Sequence, residues 1–169
     1  MITVSIIGPE STGKTTLAKS LAAHYETVWV EEYAREYLDS IGRPYTQSDL
    51  LEIASGQLKK QKEGRKNANK LLVQDTDLYV IKVWSEFKYG SCDPYILQQL
   101  DMQFVDLYFL TFFDVPYQDD PQRENRNERP ELFDIYEKEL KKSGVPYVVL
   151  QGDHSKRMKE AISTINNLL

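Results

Sequence analysis

A short apolar run, Ile2 to Ile7, stops at Gly8 and gives way to Gly8-Pro9-Glu10-Ser11-Thr12-Gly13-Lys14-Thr15, after which a helical pattern runs from Thr15 to Ala23. No other feature constrains the chain as much. The pattern G-x-x-x-x-G-K-[ST] between a strand and a helix wraps the backbone so that successive N–H groups point inward at phosphate oxygens. The lysine reaches the β- and γ-phosphates, and the last hydroxyl is a Mg²⁺ ligand. The helix that starts there adds its positive dipole end to the anion site. Gly8, Ser11, Thr12, Gly13, Lys14, Thr15 and Thr16 are therefore expected to hold a nucleoside triphosphate, with ATP and Mg²⁺ as cofactors.

Apolar runs of strand length recur at Thr27–Val30, Leu71–Val73, Leu107–Phe112 and Tyr147–Leu150, separated by helical segments. Such alternation predicts βαβ units. The expected fold is α/β, a P-loop NTPase/kinase fold: a five-stranded parallel sheet, the loop strand central, with helices on both faces and a short lid. At 169 residues, with no internal repeat or dividing linker, the chain reads as a single domain over 1–169. Helices are expected over Thr46–Lys70, capped by Thr46 or Ser48, and over Asp77–Tyr89, where Val80, Val83, Trp84 and Phe87 form one stripe. Tyr117 to Pro130 has no apolar periodicity and is dense in Asp, Arg, Glu and Asn, so the lid is placed at approximately 117–130. A further helix is expected from near Glu131.

A net charge of -5 argues against a nucleic-acid binder. No segment reaches the roughly 20 apolar residues of a membrane span. The apolar N-terminal run has no basic segment before it, and it reads as a strand rather than a signal peptide. With a single cysteine, Cys92, these features suggest a cytoplasmic protein.

A carboxylate at the end of a neighbouring strand is the second part such a site needs. Leu71-Leu72-Val73-Gln74-Asp75 supplies it, with Asp75 expected at the metal; the competing role for Asp75 or Asp77 is to cap the next helix. The third part is positive charge for the migrating phosphoryl group. Arg123, Arg126 and Arg129 recur every three residues, a spacing that aims them one way if the lid is helical. Arg123 and Arg126 are the leading catalytic candidates, with Lys14. Glu31-Glu32-Tyr33-Ala34-Arg35-Glu36-Tyr37 follows the second strand, where a carboxylate can orient or deprotonate an acceptor hydroxyl. Glu32 is the candidate base, with Glu31 and Glu36 as alternatives and Asp75 as the other catalytic carboxylate that could take the role, and Arg35 can bridge substrate or phosphate. His24 and His154 read as helix-end residues.

Together these motifs resemble the NadR-type ribosylnicotinamide (nicotinamide riboside) kinase domain, over nearly the whole chain. The resemblance rests on the Gly8–Thr15 loop, Glu32-Tyr33-Ala34-Arg35-Glu36, Asp75-Thr76-Asp77, the run from Phe113 through Asp119-Asp120-Pro121-Gln122-Arg123, and Val145-Pro146-Tyr147. It implies ATP-dependent phosphorylation of the riboside 5′-hydroxyl to give nicotinamide mononucleotide, with a small-molecule nucleoside as partner and neither nucleic acid nor membrane. Longer members carry an adenylyltransferase domain, and some a DNA-binding domain, ahead of the kinase. Neither activity is expected of these residues. The riboside carries a pyridinium cation, which favours aromatic faces and carboxylates; Glu32, Tyr33, Arg35, Asp77 and Trp84 are the expected acceptor contacts, in segments that also hold Tyr37 and Tyr79. Trp84 also fits simple core packing. A kinase for another nucleoside or nucleotide, and a regulatory P-loop ATPase switch, are the alternatives.

Overall fold

A computed structural model describes residues 1–169. The first half of the chain runs β1 (Ile2–Ile7), α1 (Lys14–His24), β2 (Trp29–Val30), α2 (Tyr33–Ile41), α3 (Gln47–Asn67) and β3 (Leu71–Asp75). The second half runs α4 (Leu78–Tyr89), α5 (Pro94–Asp101), β4 (Leu107–Thr111), α6 (Arg129–Ser143), β5 (Tyr147–Leu150) and α7 (His154–Asn166). The sheet is parallel throughout, in the order β2-β3-β1-β4-β5. The chain crosses from β1 to the edge strand β2, returns to β3, and then passes β1 to add β4 and β5, with α1 and α7 on one face and α4 and α6 on the other. Loops at the carboxyl ends of β1 and its neighbours therefore diverge and leave a crevice there, where open α/β sheets bind ligands.

Strand alternation sorts the core into two faces. Val4, Ile6, Val73 and Phe109 pack beneath Leu17, Leu21, Ala161 and Ile165 of α1 and α7. Ile7, Tyr108 and Leu110 meet Val83, Leu132, Phe133 and Tyr136 of α4 and α6 on the opposite face. A third cluster joins α2, α3, α4 and α5 through Ala34, Leu50, Ile53, Leu78 and Ile96. No helix is long and apolar enough to cross a membrane.

Three expectations change. β2 is two residues long rather than four, because Thr27 spends its N–H on the Ala22 carbonyl and its hydroxyl on the Leu71 carbonyl instead of pairing as a strand. The helix α5 was not foreseen, although Asp93-Pro94 marks its start: Asp93 accepts the Tyr95 N–H, and proline needs no donor at that position. The long polar helix does begin after Thr46, but Asp49 does most to hold its start. The buried Asp49 carboxylate accepts two Arg43 N–H groups at 2.8 and 2.9 Å, the Tyr37 hydroxyl at 2.6 Å and the Thr46 N–H at 2.7 Å.

Arg43 above all, then Tyr37 and Thr46, hold the Asp49 carboxyl far below its ordinary value. A depressed folded-state pKa contributes stability above the unfolded value, about 4, and that contribution is lost as pH falls through the folded one. Asp49→Asn is therefore expected to be less stable than wild type at pH 7. Urea melts at progressively lower pH should show the deficit narrowing below about pH 4.

Candidate active site

The phosphate loop is shaped by positions that cannot carry an ordinary side chain. Gly8 has φ +148°, and a Cβ there would lie 2.4 Å from Thr111 Oγ1 and 2.8 Å from the Thr111 carbonyl oxygen. Gly13, at φ +83°, caps α1 in the left-handed region. Lys14 folds back over the loop, its Nζ donating to the Pro9 carbonyl at 2.8 Å. Burial lowers the Lys14 pKa, against the raising effect of Glu32, Asp75 and Glu10. Gly8, Ser11, Gly13, Lys14, Thr15 and Thr16 line a cavity of about 740 Å³. Thr12 departs from its expected place: its hydroxyl is buried against the Pro9 carbonyl and Thr111 Oγ1, both at 2.7 Å, and is bound into the loop's own frame.

Asp75 ends β3 beside this loop. Thr15 Oγ1 donates to Asp75 Oδ2 at 2.5 Å, while the buried Oδ1 has no partner. Burial first, then the charge on Glu32, pushes the Asp75 carboxyl up to about 6. A hydroxyl and a carboxylate with a free oxygen suit a hard cation.

Between Thr111 and Arg129 the chain has no helix or strand. The phosphate loop itself holds this lid down. Glu10 Oε1 accepts the Asn125 N–H at 3.0 Å, the Asn125 side-chain amide at 2.9 Å and the Glu124 N–H at 3.3 Å; Tyr117 donates to Oε2 at 3.3 Å. Ser11 Oγ accepts the Gln118 N–H at 2.8 Å.

The lid arginines do not share a direction, because the helix that would align them starts only at Arg129. Arg123 lines the cavity and reaches Ser11 Oγ at 3.3 Å and the Gln118 carbonyl at 2.5 Å. Arg126 points outward instead, 3.6 Å from Asp119 and with its guanidinium 5.3 Å from the Tyr117 ring centre. Arg129, the weakest candidate from sequence, clamps the Ser11 and Val115 carbonyls at 3.1 Å each. Arg123→Ala is expected to lower kcat and kcat/KM together, on the order of 10²-fold, as for one lost electrostatic donor. Arg126→Ala should change either by less than about threefold. Steady-state kinetics on the two variants separates a cavity arginine from a surface one.

Beyond the phosphates the cavity is walled by Glu32, Ala34, Arg35, Leu38, Val80, Val83, Trp84, Phe87, Leu132 and Tyr136. Glu32 is the N-cap residue of α2, and Arg35 bonds lid residue Asp120 at 2.9 Å. Two expected acceptor contacts lie elsewhere. Tyr33 faces α3: a Cβ on Gly56 would sit 2.0 Å from its ring, and Lys60 lies 5.5 Å from the ring centre. Asp77 is fully buried as the N-cap of α4, accepting the Tyr79 N–H and the Gln103 amide at 2.9 Å each. The capping role wins there. Tyr37 and Tyr79 are likewise committed, to Asp49 and to the Tyr108 ring.

Glu10 was missed because it occupies a variable position of the loop pattern. Arg157 was missed too. It is buried beneath the loop, donating to the carbonyls of Thr12, Phe112 (2.9 Å) and Gly152 (3.0 Å) and to Asp114 at 2.6 Å. Its spacing with Ala161 and Ile165 places an arginine on the buried stripe of α7, a signal visible in the sequence.

Known proteins share this frame. The chain is 27% identical to the trifunctional NAD biosynthesis/regulator protein NadR of Escherichia coli K12, across 99% of its own residues and 42% of that protein. It thus spans less than half the length of the curated relatives it matches. Its fold superposes with a TM-score of 0.80 on NadR protein in complex with NR, at 24% identity over 98% of this chain and 51% of that one. Thymidylate kinase from Ehrlichia chaffeensis gives 0.70 at 15% identity, over 97% of this chain and 98% of that one. The family model of the AAA domain matches residues 3–157, the span that carries the sheet, the phosphate loop and the lid, and the chain belongs to that family.

Proposed function

We propose that this chain transfers the γ-phosphoryl group of ATP to the 5′-hydroxyl of nicotinamide riboside, giving nicotinamide mononucleotide and ADP. The observation that carries this reading is one continuous cavity lined both by the phosphate loop and by Glu32, Arg35 and Trp84. The similarity to NadR supports the choice of acceptor.

In this reading the loop N–H groups and Lys14 hold the β- and γ-phosphates, and Lys14 exchanges its bond to Pro9 for one to phosphate. Thr15 and Asp75 are the residues that would hold Mg²⁺, which when bound neutralises charge on the phosphates. Glu32 accepts the 5′-hydroxyl proton as that oxygen bonds to the γ-phosphorus and the bond to the β-phosphate oxygen breaks. Arg123 lies at the lid side of the same cavity and offsets charge on the migrating group. With Tyr33 and Asp77 turned away, the aromatic side chains left in the cavity wall for a pyridinium ring are Trp84, Phe87 and Tyr136, of which Trp84 is the expected contact.

A lid held over the loop favours a kinase over a switch, since a transferase must keep water from the γ-phosphate. The test is ADP release with nicotinamide riboside, a panel of nucleosides and nucleoside monophosphates, and no acceptor. Turnover that depends on the riboside is expected. Good turnover of another nucleoside with none of the riboside would overturn the acceptor, and full-rate hydrolysis without any acceptor would favour the switch.

A further inference from the structure

Four side chains from three separate segments meet in one wall of the cavity, three of them lining it and Tyr45 standing behind them on a smaller hollow. Trp84 and, one turn later, Lys88 come from α4; Tyr45 comes from the loop between α2 and α3; Glu124 comes from the lid. The Tyr45 hydroxyl joins them, accepting from Trp84 Nε1 at 3.0 Å and Lys88 Nζ at 2.5 Å while lying 2.9 Å from both Glu124 oxygens. Lys88 Nζ is also 3.1 and 3.2 Å from those oxygens and sits 4.0 Å from the Tyr45 ring centre. Lys88 and Glu124 line both the main cavity and a smaller hollow of about 300 Å³, so the pair stands in the wall between the two spaces.

An ion pair this exposed, 37% and 39% by side chain, contributes little to folding. Its chemistry suits a ligand better. Lys88 brings ammonium protons, and beside it Glu124 brings a carboxylate that only accepts. A primary carboxamide presents the matching pair, a carbonyl oxygen for Lys88 and an NH₂ group for Glu124. A carboxylate in the same place would satisfy Lys88 but set a second negative charge against Glu124.

We infer that Lys88 and Glu124, positioned by Tyr45, read the carboxamide of an aromatic base lying against Trp84 and reject the corresponding acid. This rests on the acceptor proposed above and names what selects it. Lys88 attracts both ribosides, and the acid more strongly, so a preference for the amide has to come from Glu124, a repulsive element of the kind specificity requires. One like-charge contact of intermediate exposure is expected to give a preference of roughly tenfold to a hundredfold in kcat/KM.

The experiment compares nicotinamide riboside with nicotinic acid riboside in wild type, Glu124→Gln and Lys88→Gln. Wild type should prefer the amide by at least about tenfold. Glu124→Gln should bring the ratio to within about threefold, by raising turnover of the acid, because glutamine removes the repelling charge. Lys88→Gln should lower kcat/KM for both, and more for the acid. Both substrates need the same closed lid, so a variant that merely loosened the lid would slow them equally and leave the ratio unchanged. An unchanged ratio in Glu124→Gln, or no preference in wild type that phosphorylates the amide, overturns the inference while the kinase reading stands. If wild type phosphorylates neither riboside, the acceptor proposal fails and this inference falls with it.

Discussion

Lys14→Ala is expected to lose turnover by on the order of 10³-fold, with saturating ATP restoring little of it. The ammonium group stands beside three carboxylates, Glu32, Asp75 and Glu10, which raise its pKa against the lowering effect of burial. It is the cation at the loop end of a cavity that Arg123 and Arg157 also line. Truncation removes that charge where charge on the γ-phosphoryl group develops, and no other lysine lines the loop end of the cavity. The fold should survive. The Lys14 side chain packs in neither sheet-face cluster, and its one hydrogen bond is to the Pro9 carbonyl within the loop itself. Kinetics and a thermal melt on the same preparation check both halves, and near wild-type turnover in a folded variant would refute the role.

The sheet and the loop were legible because each is encoded locally. A short apolar run, a glycine where a side chain would meet Thr111, and a helix start all lie in adjacent residues. The acceptor wall was legible only in part. Tyr33 and Tyr37 sit four apart on α2 and share the stripe that packs on α3, whereas Glu32, Ala34, Arg35 and Leu38 take the face toward the cavity. Motif membership does not reveal that phase; helical periodicity does, and it points the tyrosines away. The shared direction expected of the lid arginines failed for a related reason. Their three-residue spacing has meaning only on a helix, and the lid is fixed instead by long-range bonds to Glu10 and Ser11 that no local pattern encodes. Asp77 shows the ambiguity of an acidic residue after a strand: the same residue serves as an N-cap or as a ligand, and the backbone turn after it decides which.

Asp75→Asn is expected to separate function from stability in opposite directions. Turnover should fall on the order of 10²- to 10³-fold, since the amide keeps the Thr15 hydrogen bond but supplies no negative charge beside the phosphates. Stability, measured in chelator without nucleotide, should rise at pH 7. Burial pushes the Asp75 carboxyl up to about 6 from an ordinary value near 3.8. Between those values the folded protein binds more protons than the unfolded one, so stability falls as pH rises through the window. At pH 7 wild type carries the full cost of an ionised buried oxygen with no partner, and asparagine does not. The gain should be about 1–3 kcal/mol at pH 7 and should vanish below about pH 4, where the wild-type carboxyl is neutral in both states. Urea melts of the two proteins at both pH values give the comparison. A variant less stable than wild type at pH 7 would mean that Asp75 is held by its attraction to Lys14 and Lys19 more than it is penalised by burial. Retained turnover would remove it from the site altogether.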